Sequence, residues 1–302
     1  MLTRISAAAA TLLIALFATA AGEGVRPAVQ IAPAASPPAP LALTLPNKPD
    51  SLKFAVLGDF GTGERQQYQL AAQMKRVRDA FPFEFVTLVG DNIYGSERPQ
   101  DFRRKFEVPY QPLLDAGVKF YASLGNHDAR EQRYYKHFNM DGKLFYTFKA
   151  KQDVRFFALD SGYMDPQQVA WLEKELKDSN EAWKIPYFHH PPYSSGDRHG
   201  SDRRLREVLE PLFVKYNVSV VFTGHDHFYE RLKPQQGIVY FVCGAGGKLR
   251  RGNIDRGSGL TAAGNDTDQS FLAAEIHGDE MWFNAVARSG KVVDSGVLTR
   301  RK

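Results

Sequence analysis

What most constrains this chain is a pattern that recurs along it: a short apolar, strand-like run that ends in a residue able to hold a metal ion. Lys53–Leu57 runs into Gly58-Asp59-Phe60-Gly61, and Phe85–Val89 runs into Gly90-Asp91-Asn92-Ile93-Tyr94. Val118–Leu124 runs into Gly125-Asn126-His127-Asp128. Further on, a strand ends at His189-His190-Pro191, and Val218–Thr223 ends at Gly224-His225-Asp226-His227. Apolar runs of this length, bounded by turn residues, read as buried strands. Asp and His are ligands of hard and borderline cations. In open α/β sheets, ligand groups collect at the carboxyl ends of strands. One such block would say little; all of them in order point to a site for two metal ions.

The segments between the blocks set the architecture. Glu64–Phe81 has helical spacing at Tyr68, Ala71, Ala72, Met74 and Val77. Asp101–Ala116 is expected to be helical, broken near Pro109 and Pro112. Leu144–Phe148 and Val154–Leu159 are rich in aromatic and β-branched residues and read as strands. Asp165-Pro166 reads as a helix cap followed by proline at the first helical position. The helix it opens carries Val169, Leu172 and Leu176 on one face. Ser201–Tyr216 is amphipathic, with Leu205, Val208, Leu209, Leu212 and Phe213 facing inward. The tail alternates strands and glycine turns: Phe271–Ile276, Met281–Val286 and Val292–Leu298. The expected fold is α/β, with two mixed β-sheets packed face to face and helices outside.

With 302 residues, 43% of them hydrophobic, the chain has ample material for a core over residues 51–302. Residues 1–20 read as a signal peptide: Arg4 precedes the apolar Ala7–Ala18, and Ala18-Thr19-Ala20 fits a cleavage site. Residues 21–50 are rich in Pro and Ala and read as an extended linker. The expected location is the periplasm or outside the cell, with no stable membrane anchor after cleavage; the rival is an uncleaved anchor. The lone cysteine, Cys243, sits in an apolar run and reads as a buried strand residue. A net charge of +5 favours anionic substrates. No run of Lys and Arg interleaved with aromatics marks a nucleic-acid partner, so nucleic acid enters only as a substrate. Asn217-Val218-Ser219 and Asn265-Asp266-Thr267 match the glycosylation pattern.

Each block has its own chemistry. Asp59 and Asp91 follow glycines, which let an ion approach, and one of the two carboxylates could bridge two metals. Tyr94 lies close enough to Asp91 to share a metal, and a phenolate suits ferric iron. Asn126 offers a neutral oxygen. His127 cannot easily reach the same metal as its neighbour and reads as a substrate contact, with Asp128 as its orienting partner. One of His189 and His190 completes a metal sphere. In an extended segment alternate residues point the same way, so His225 and His227 can serve one metal each. His199, in the polar loop Gly196-Asp197-Arg198-His199, reads as a general acid for a leaving group. Gly244-Ala245-Gly246-Gly247-Lys248 lacks the spacing of a P-loop and reads as a tight turn beside the site.

Together these residues resemble the calcineurin-like metallophosphoesterases, and more narrowly the purple acid phosphatases of the small tartrate-resistant type. The resemblance spans roughly residues 52 to 298, and Tyr94 sets it apart from the wider superfamily. It implies that Asp59, Tyr94 and His227 bind Fe(3+). Asn126, His189 and His225 would bind a second, divalent metal (Fe, Zn or Mn), and Asp91 would bridge the two. His189 is preferred to His190 because Pro191 and Tyr193 then fall in the family's register. His127 and His199 match positions that contact the phosphoryl group and the leaving group. The chain lacks the cysteine pair of the mammalian enzymes, which puts redox or proteolytic regulation in doubt.

The implied activity is acid phosphatase: hydrolysis of a phosphate monoester by in-line attack of a hydroxide held between two cations. No activated Ser or Cys suggests a phosphoenzyme. A phosphodiesterase or nuclease on the same scaffold is the first rival, since only the loops need differ. A non-catalytic metal- or phosphate-binding surface protein is the second.

Overall fold

The computed structural model describes residues 41–151 and 153–302. The signal peptide and most of the linker expected from the sequence lie outside the described residues. The chain opens with β1 (Leu52–Leu57), α1 (Arg65–Ala80) and β2 (Phe85–Val89), then a helical stretch and β3 (Lys119–Ser123). It crosses to a second sheet for β4 (Tyr146–Lys151), β5 (Val154–Ala158) and β6 (Trp183–Tyr187), followed by β7 (Val220–Thr223), β8 (Tyr229–Leu232), β9 (Val239–Cys243) and β10 (Thr261–Asn265). It returns to the first sheet for β11 (Ser270–His277), β12 (Glu280–Ala287) and β13 (Val292–Thr299). The sheets have 6 strands, in the order β13-β12-β11-β1-β2-β3, and 7 strands, in the order β10-β8-β9-β7-β6-β5-β4. Both are mixed. β1, β2 and β3 run parallel, as do β5, β6, β7 and β9. This is the α/β arrangement of two packed mixed sheets with flanking helices that the sequence predicts.

An aromatic layer joins the sheets. Phe54 on β1 meets Phe156 on β5 edge-on at 5.2 Å and Phe222 on β7 at 6.0 Å. Phe85 on β2 meets Phe156 at 5.3 Å, and Phe241 on β9 meets Phe283 on β12 at 5.1 Å. Such pairs add about 0.5–1.5 kcal/mol each beyond area burial. The outer face of the second sheet is covered by two helices spanning Pro166–Asp178 and Arg203–Lys215. Leu172, Leu176, Leu205, Leu209 and Phe213 form one cluster there with Phe157, Leu159, Val221 and Val242. Asp165 caps the first of these helices, its Oδ1 accepting from Gln168 N at 2.7 Å. Val208, expected to face inward, is 40% exposed; it lies at the edge of the stripe that Leu205, Leu209 and Phe213 bury.

Two further expectations change. The helix over Pro99–Asp115 is not broken at its prolines. An α-turn at Pro99–Phe102 passes through a π-turn at Arg103–Glu107 into Val108–Asp115, with Val108 N bonded back to Arg103 O. Pro109 has no N–H to offer the Lys105 carbonyl one turn back, so the turn before it widens. The released Lys105 carbonyl accepts from the buried Gln67 side chain instead, and Arg104 O accepts from Tyr68 Oη at 2.7 Å. Residues 41–48, read as linker, are docked. Leu41, Leu43 and Leu45 pack on the core, Thr44 N donates to Asn284 Oδ1 at 2.8 Å, and Asn47 N and Lys48 N donate to the Glu275 carboxylate at 2.7 and 2.6 Å.

Candidate metal centre

Strand register brings the sequence blocks to one edge. Leu57 aligns with Leu88 and Val89 with Ser123, so Asp59, Asp91 and Asn126 leave the first sheet side by side. Tyr187 aligns with Phe222 in the second sheet, so His189 and His225 emerge together opposite them. Asp59, Asp91 and His225 each have a positive φ, at 55°, 51° and 71°. That conformation is uncommon for non-glycine residues and concentrates at functional sites. The preceding glycines make room. A Cβ on Gly125 would overlap the Asp91 carboxylate, and one on Gly224 would overlap the Asp59 carboxylate.

Two groups of donor atoms result. In the first, Tyr94 Oη lies 3.1 Å from Asp59 Oδ1 and 3.2 Å from His227 Nε2, and His227 Nε2 lies 3.4 Å from Asp59 Oδ1. In the second, His189 Nε2 lies 3.1 Å from Asn126 Oδ1, 3.1 Å from His225 Nδ1 and 3.4 Å from Asp91 Oδ1. Asp91 stands between them: ligand atoms of Asp59, Asp91 and His189 all lie within 4.8 Å of one another. His189 Nδ1 is 2.9 Å from Val89 O. A carbonyl only accepts, so Nδ1 carries the proton and Nε2 presents its lone pair to the cluster.

His190 also belongs to this neighbourhood, forming a potential ligand group with His189 and His225. Its Nδ1 is 3.0 Å from Ser161 Oγ, the hydroxyl that also accepts from His189 N and His190 N. His127 is exposed, its ring centroid 5.1 Å from that of Tyr94, and its N–H donates to Asp91 Oδ1 at 3.0 Å. His199 is exposed as well, its ring 4.2 Å from that of His225.

Asp128 corrects the sequence reading. Its carboxylate does not orient His127. Oδ2 accepts from Gly125 N at 2.9 Å and Asn92 N at 3.0 Å; Oδ1 accepts from Ile93 N at 3.0 Å and Gln132 Nε2 at 2.8 Å. Asp128 therefore ties the loop after β3 to the loop after β2. A short acidic side chain near the start of a tight loop finds backbone N–H groups before it reaches a neighbouring ring.

The electrostatics are those of ligands without a counter-charge. Asp59 is fully buried and Asp91 is 1% exposed, and the ion pairs they make among the described residues are to imidazoles. Burial, and then the charge of Asp91, pushes the Asp59 carboxyl well above its usual range. Burial and the two aspartates push the Tyr94 phenol up. Burial holds His189 well below the usual imidazole range, with His190 adding to it. Burial, and then His189, pushes His225 down to about 2; burial and Arg250 push His227 down to about 4. Burial and Asp91 raise Asp128 to about 7. Burial and Arg250 lower His199. Buried carboxylates cost free energy unless a cation offsets them, and neutral imidazole is the ligating form. The donor set fits metal ions.

Two groups beside the site, Asp226 and Lys105, carried no sequence signal of their role, and a third, the glycine-rich turn after β9, lies beside the site as the sequence predicts. Asp226 is buried between the two histidines, and its Oδ2 accepts from Ser194 Oγ at 2.6 Å and Gly200 N at 3.1 Å, anchoring the loop that bears His199. The two histidines, expected on an extended segment, instead lie in a bend between β7 and β8, with His225 in the left-handed conformation. Lys105 Nζ donates to Tyr94 O at 2.6 Å and Ser96 O at 2.7 Å. The glycine-rich turn after β9 docks under the site: Gly246 N donates to Gly58 O at 2.9 Å, Gly247 N and Lys248 N donate to Asp59 O at 3.0 and 2.9 Å, and Arg250 N donates to His227 O at 2.9 Å.

A two-sheet α/β sandwich with a carboxylate–histidine cluster at its strand ends defines a metallohydrolase scaffold. The chain belongs to the calcineurin-like phosphoesterase family, whose model matches residues 52–229. Human tartrate-resistant acid phosphatase type 5 is 26% identical over 312 residues, covering 86% of this chain and 96% of that protein. The Fe(3+)-Zn(2+) purple acid phosphatase 12 of Arabidopsis thaliana is 30% identical over 215 residues, covering 63% of this chain and 45% of that one. The fold is shared with the purple acid phosphatase PPD1 of yellow lupin, with a TM-score of 0.69 at 18% identity, over 84% of this chain and 55% of that one.

Proposed function

We propose that this protein is an exported acid phosphatase that hydrolyses phosphate monoesters with two metal ions. The observation that carries the reading is the pair of donor groups about Asp91, with the Asp59 and Asp91 carboxylates buried and, among the described residues, ion-paired only to imidazoles. Asp59, Tyr94 and His227 would hold ferric iron; Asn126, His189 and His225 would hold a divalent ion, iron, zinc or manganese; Asp91 would bridge. His189 is preferred to His190 because its Nε2 lies 3.1 Å from Asn126 Oδ1 and 3.4 Å from Asp91 Oδ1. Two cations in such a cluster supply Lewis-acid polarisation of phosphoryl oxygens and make a coordinated water more acidic. The chain's own residues do the rest. His127, exposed at the edge beside Tyr94, donates to a phosphoryl oxygen. His199, exposed beside His225, hands its proton to the departing ester oxygen. Neither histidine lies deep enough to exclude a substrate.

The test is metal analysis with a visible absorption spectrum, on wild type and Tyr94→Phe purified without chelator, together with hydrolysis of phenyl phosphate and bis(phenyl) phosphate. The expected result is two metals, about one of them iron, with a broad visible band that Tyr94→Phe loses, and faster turnover of the monoester. Two metals without the band would remove the ferric–tyrosinate assignment. Much faster diester cleavage would favour a phosphodiesterase, and no hydrolysis by metal-loaded protein would favour a binding protein. Export rests on the sequence of residues 1–20. The mature protein's N-terminal mass, measured in the periplasmic or secreted fraction, tests it.

A further inference from the structure

A cavity of about 660 Å³ opens beside the entry to β4, and none of the proposed metal ligands lines it. Its walls come from the turn Arg130–Tyr134, the segment 142–147 and the helix Pro166–Asp178. The apolar wall is aromatic. Phe145 and Trp171 are half-buried, with ring centroids 4.9 Å apart. Tyr134 is 67% exposed, yet its ring is held in place. The Arg133 guanidinium lies 4.5 Å from the ring centroid, and a Cβ on Gly142 would come within 3.0 Å of the ring. Gly142, at φ 75°, also donates its N–H to Arg133 O at 3.0 Å.

The charges that line this cavity do not cancel. Arg130 is paired with Asp160 at 3.0 Å, and Glu175 with Arg155 at 3.2 Å. Arg133 donates to neutral oxygens, Arg130 O at 3.0 Å and Tyr134 Oη at 3.1 Å. Lys143 is exposed, and its ammonium makes no hydrogen bond or ion pair among the described residues. Two cations without a carboxylate therefore share a cavity with three aromatic rings. Ring faces stack on flat rings, and a guanidinium fork or an ammonium takes phosphate oxygens. A ligand that offers both a flat ring and an anion satisfies both walls, and the volume is that of a pocket for a molecule larger than one ring.

We propose that this cavity is a second ligand site, separate from the metal centre, that takes a nucleotide. The base stacks among Phe145, Trp171 and Tyr134, and Arg133 and Lys143 hold the phosphate. The site binds and does not react: no imidazole lines it, and its one carboxylate, Glu175, is already paired. Arg130 connects it to the metal centre. Its partner Asp160 precedes Ser161, whose hydroxyl accepts from His189 N and His190 N. The two sites are thus neighbours that share no ligand group, and the nucleotide site stands whether or not the metal centre hydrolyses monoesters.

The test is calorimetric titration of the metal-loaded full chain in excess orthophosphate, which competes for the metal centre. The probes are adenosine 5′-methylenephosphonate, whose P–C bond resists hydrolysis, adenosine and phenylphosphonate. The nucleotide analogue should bind at one site per chain, and adenosine, which lacks the anion, about tenfold or more weaker. Lys143→Ala and Phe145→Ala should each weaken the analogue by about fivefold or more, the scale of one lost charge-assisted contact or one lost base–ring stack. No binding by wild type, or binding that either variant leaves unchanged, overturns the site. Phenylphosphonate bound as tightly as the nucleotide analogue overturns the nucleotide assignment. If Phe145→Ala folds poorly, Lys143→Ala, on an exposed side chain, carries the same measurement.

Discussion

Replacing Asp128 with asparagine separates a brace from a catalytic group. The carboxylate accepts four N–H bonds, two at each oxygen, from Gly125, Asn92, Ile93 and Gln132. Asparagine keeps the shape but can accept at only one side. Its NH2 must then face two N–H donors, so two hydrogen bonds are lost and donors oppose donors in a buried place. Each orphaned buried donor costs about 1–3 kcal/mol, so a loss of about 3 kcal/mol is expected. For a domain of this size that is roughly 6–12 °C in melting temperature. The loops that loosen carry Asp91, Tyr94 and Asn126, so metal content should fall with stability. Differential scanning calorimetry and elemental analysis of Asp128→Asn against wild type read both. A variant that melts within about 1 °C of wild type, holds full metal and still loses turnover would refute the brace and restore Asp128 as the partner of His127.

Lys105→Met removes two hydrogen bonds to the carbonyls of Tyr94 and Ser96 from a side chain that is 4% exposed, and it leaves the Asp101 carboxylate without its lysine. About 3 kcal/mol of stability should go, read by thermal melting, with weaker iron binding because the Tyr94 loop is no longer tied to the π-turn. His199→Ala should leave metal content unchanged and cut turnover of alkyl phosphates by about a hundredfold, on the scale of general acid catalysis. Aryl phosphates with good leaving groups should lose much less; equal losses on both would remove the proton-donor role.

The site was legible in the sequence to the extent that its residues sit next to strands. Asp59, Asp91, Asn126, His189 and His225 follow apolar runs that any register-respecting sheet must bury, so their meeting depends on topology alone. What depends on distant partners was not legible. Asp128 looked like a neighbour for His127, but two of its four donors, Asn92 N and Ile93 N, come from another loop. The docking of residues 41–48 depends on Glu275 and Asn284, whose buried side chains accept from Thr44, Asn47 and Lys48 across a separation no local pattern spans. β8 and β10 carry Glu230 and Gly264 in place of a clean apolar alternation, and they gave no strand signal. Buried Glu230 accepts from Ser195 N at 2.9 Å and from Thr261, so its polarity serves the loop beside the site rather than solvent. Pro109 misled for a related reason: the Lys105 carbonyl it leaves free is satisfied by Gln67, on a different helix.

The metal ligands and the rim obey different constraints, and this decides where substrate preference can reside. Asp59, Asp91 and His225 are fixed by strand ends, positive φ and glycines whose replacement would strike the ligands themselves. Little can change there without loss of the centre. The strips 194–200 and 248–258 hold to each other mostly through main-chain bonds and small hydroxyls. Their exposed side chains, Arg198 among them, can vary without moving a ligand. A scaffold built this way keeps the chemistry of its strand ends and draws specificity from loops. These two strips are therefore the part of this molecule where its preference among phosphate esters should be sought, and substitutions on their exposed faces should alter which substrate is cleaved before they alter whether cleavage occurs.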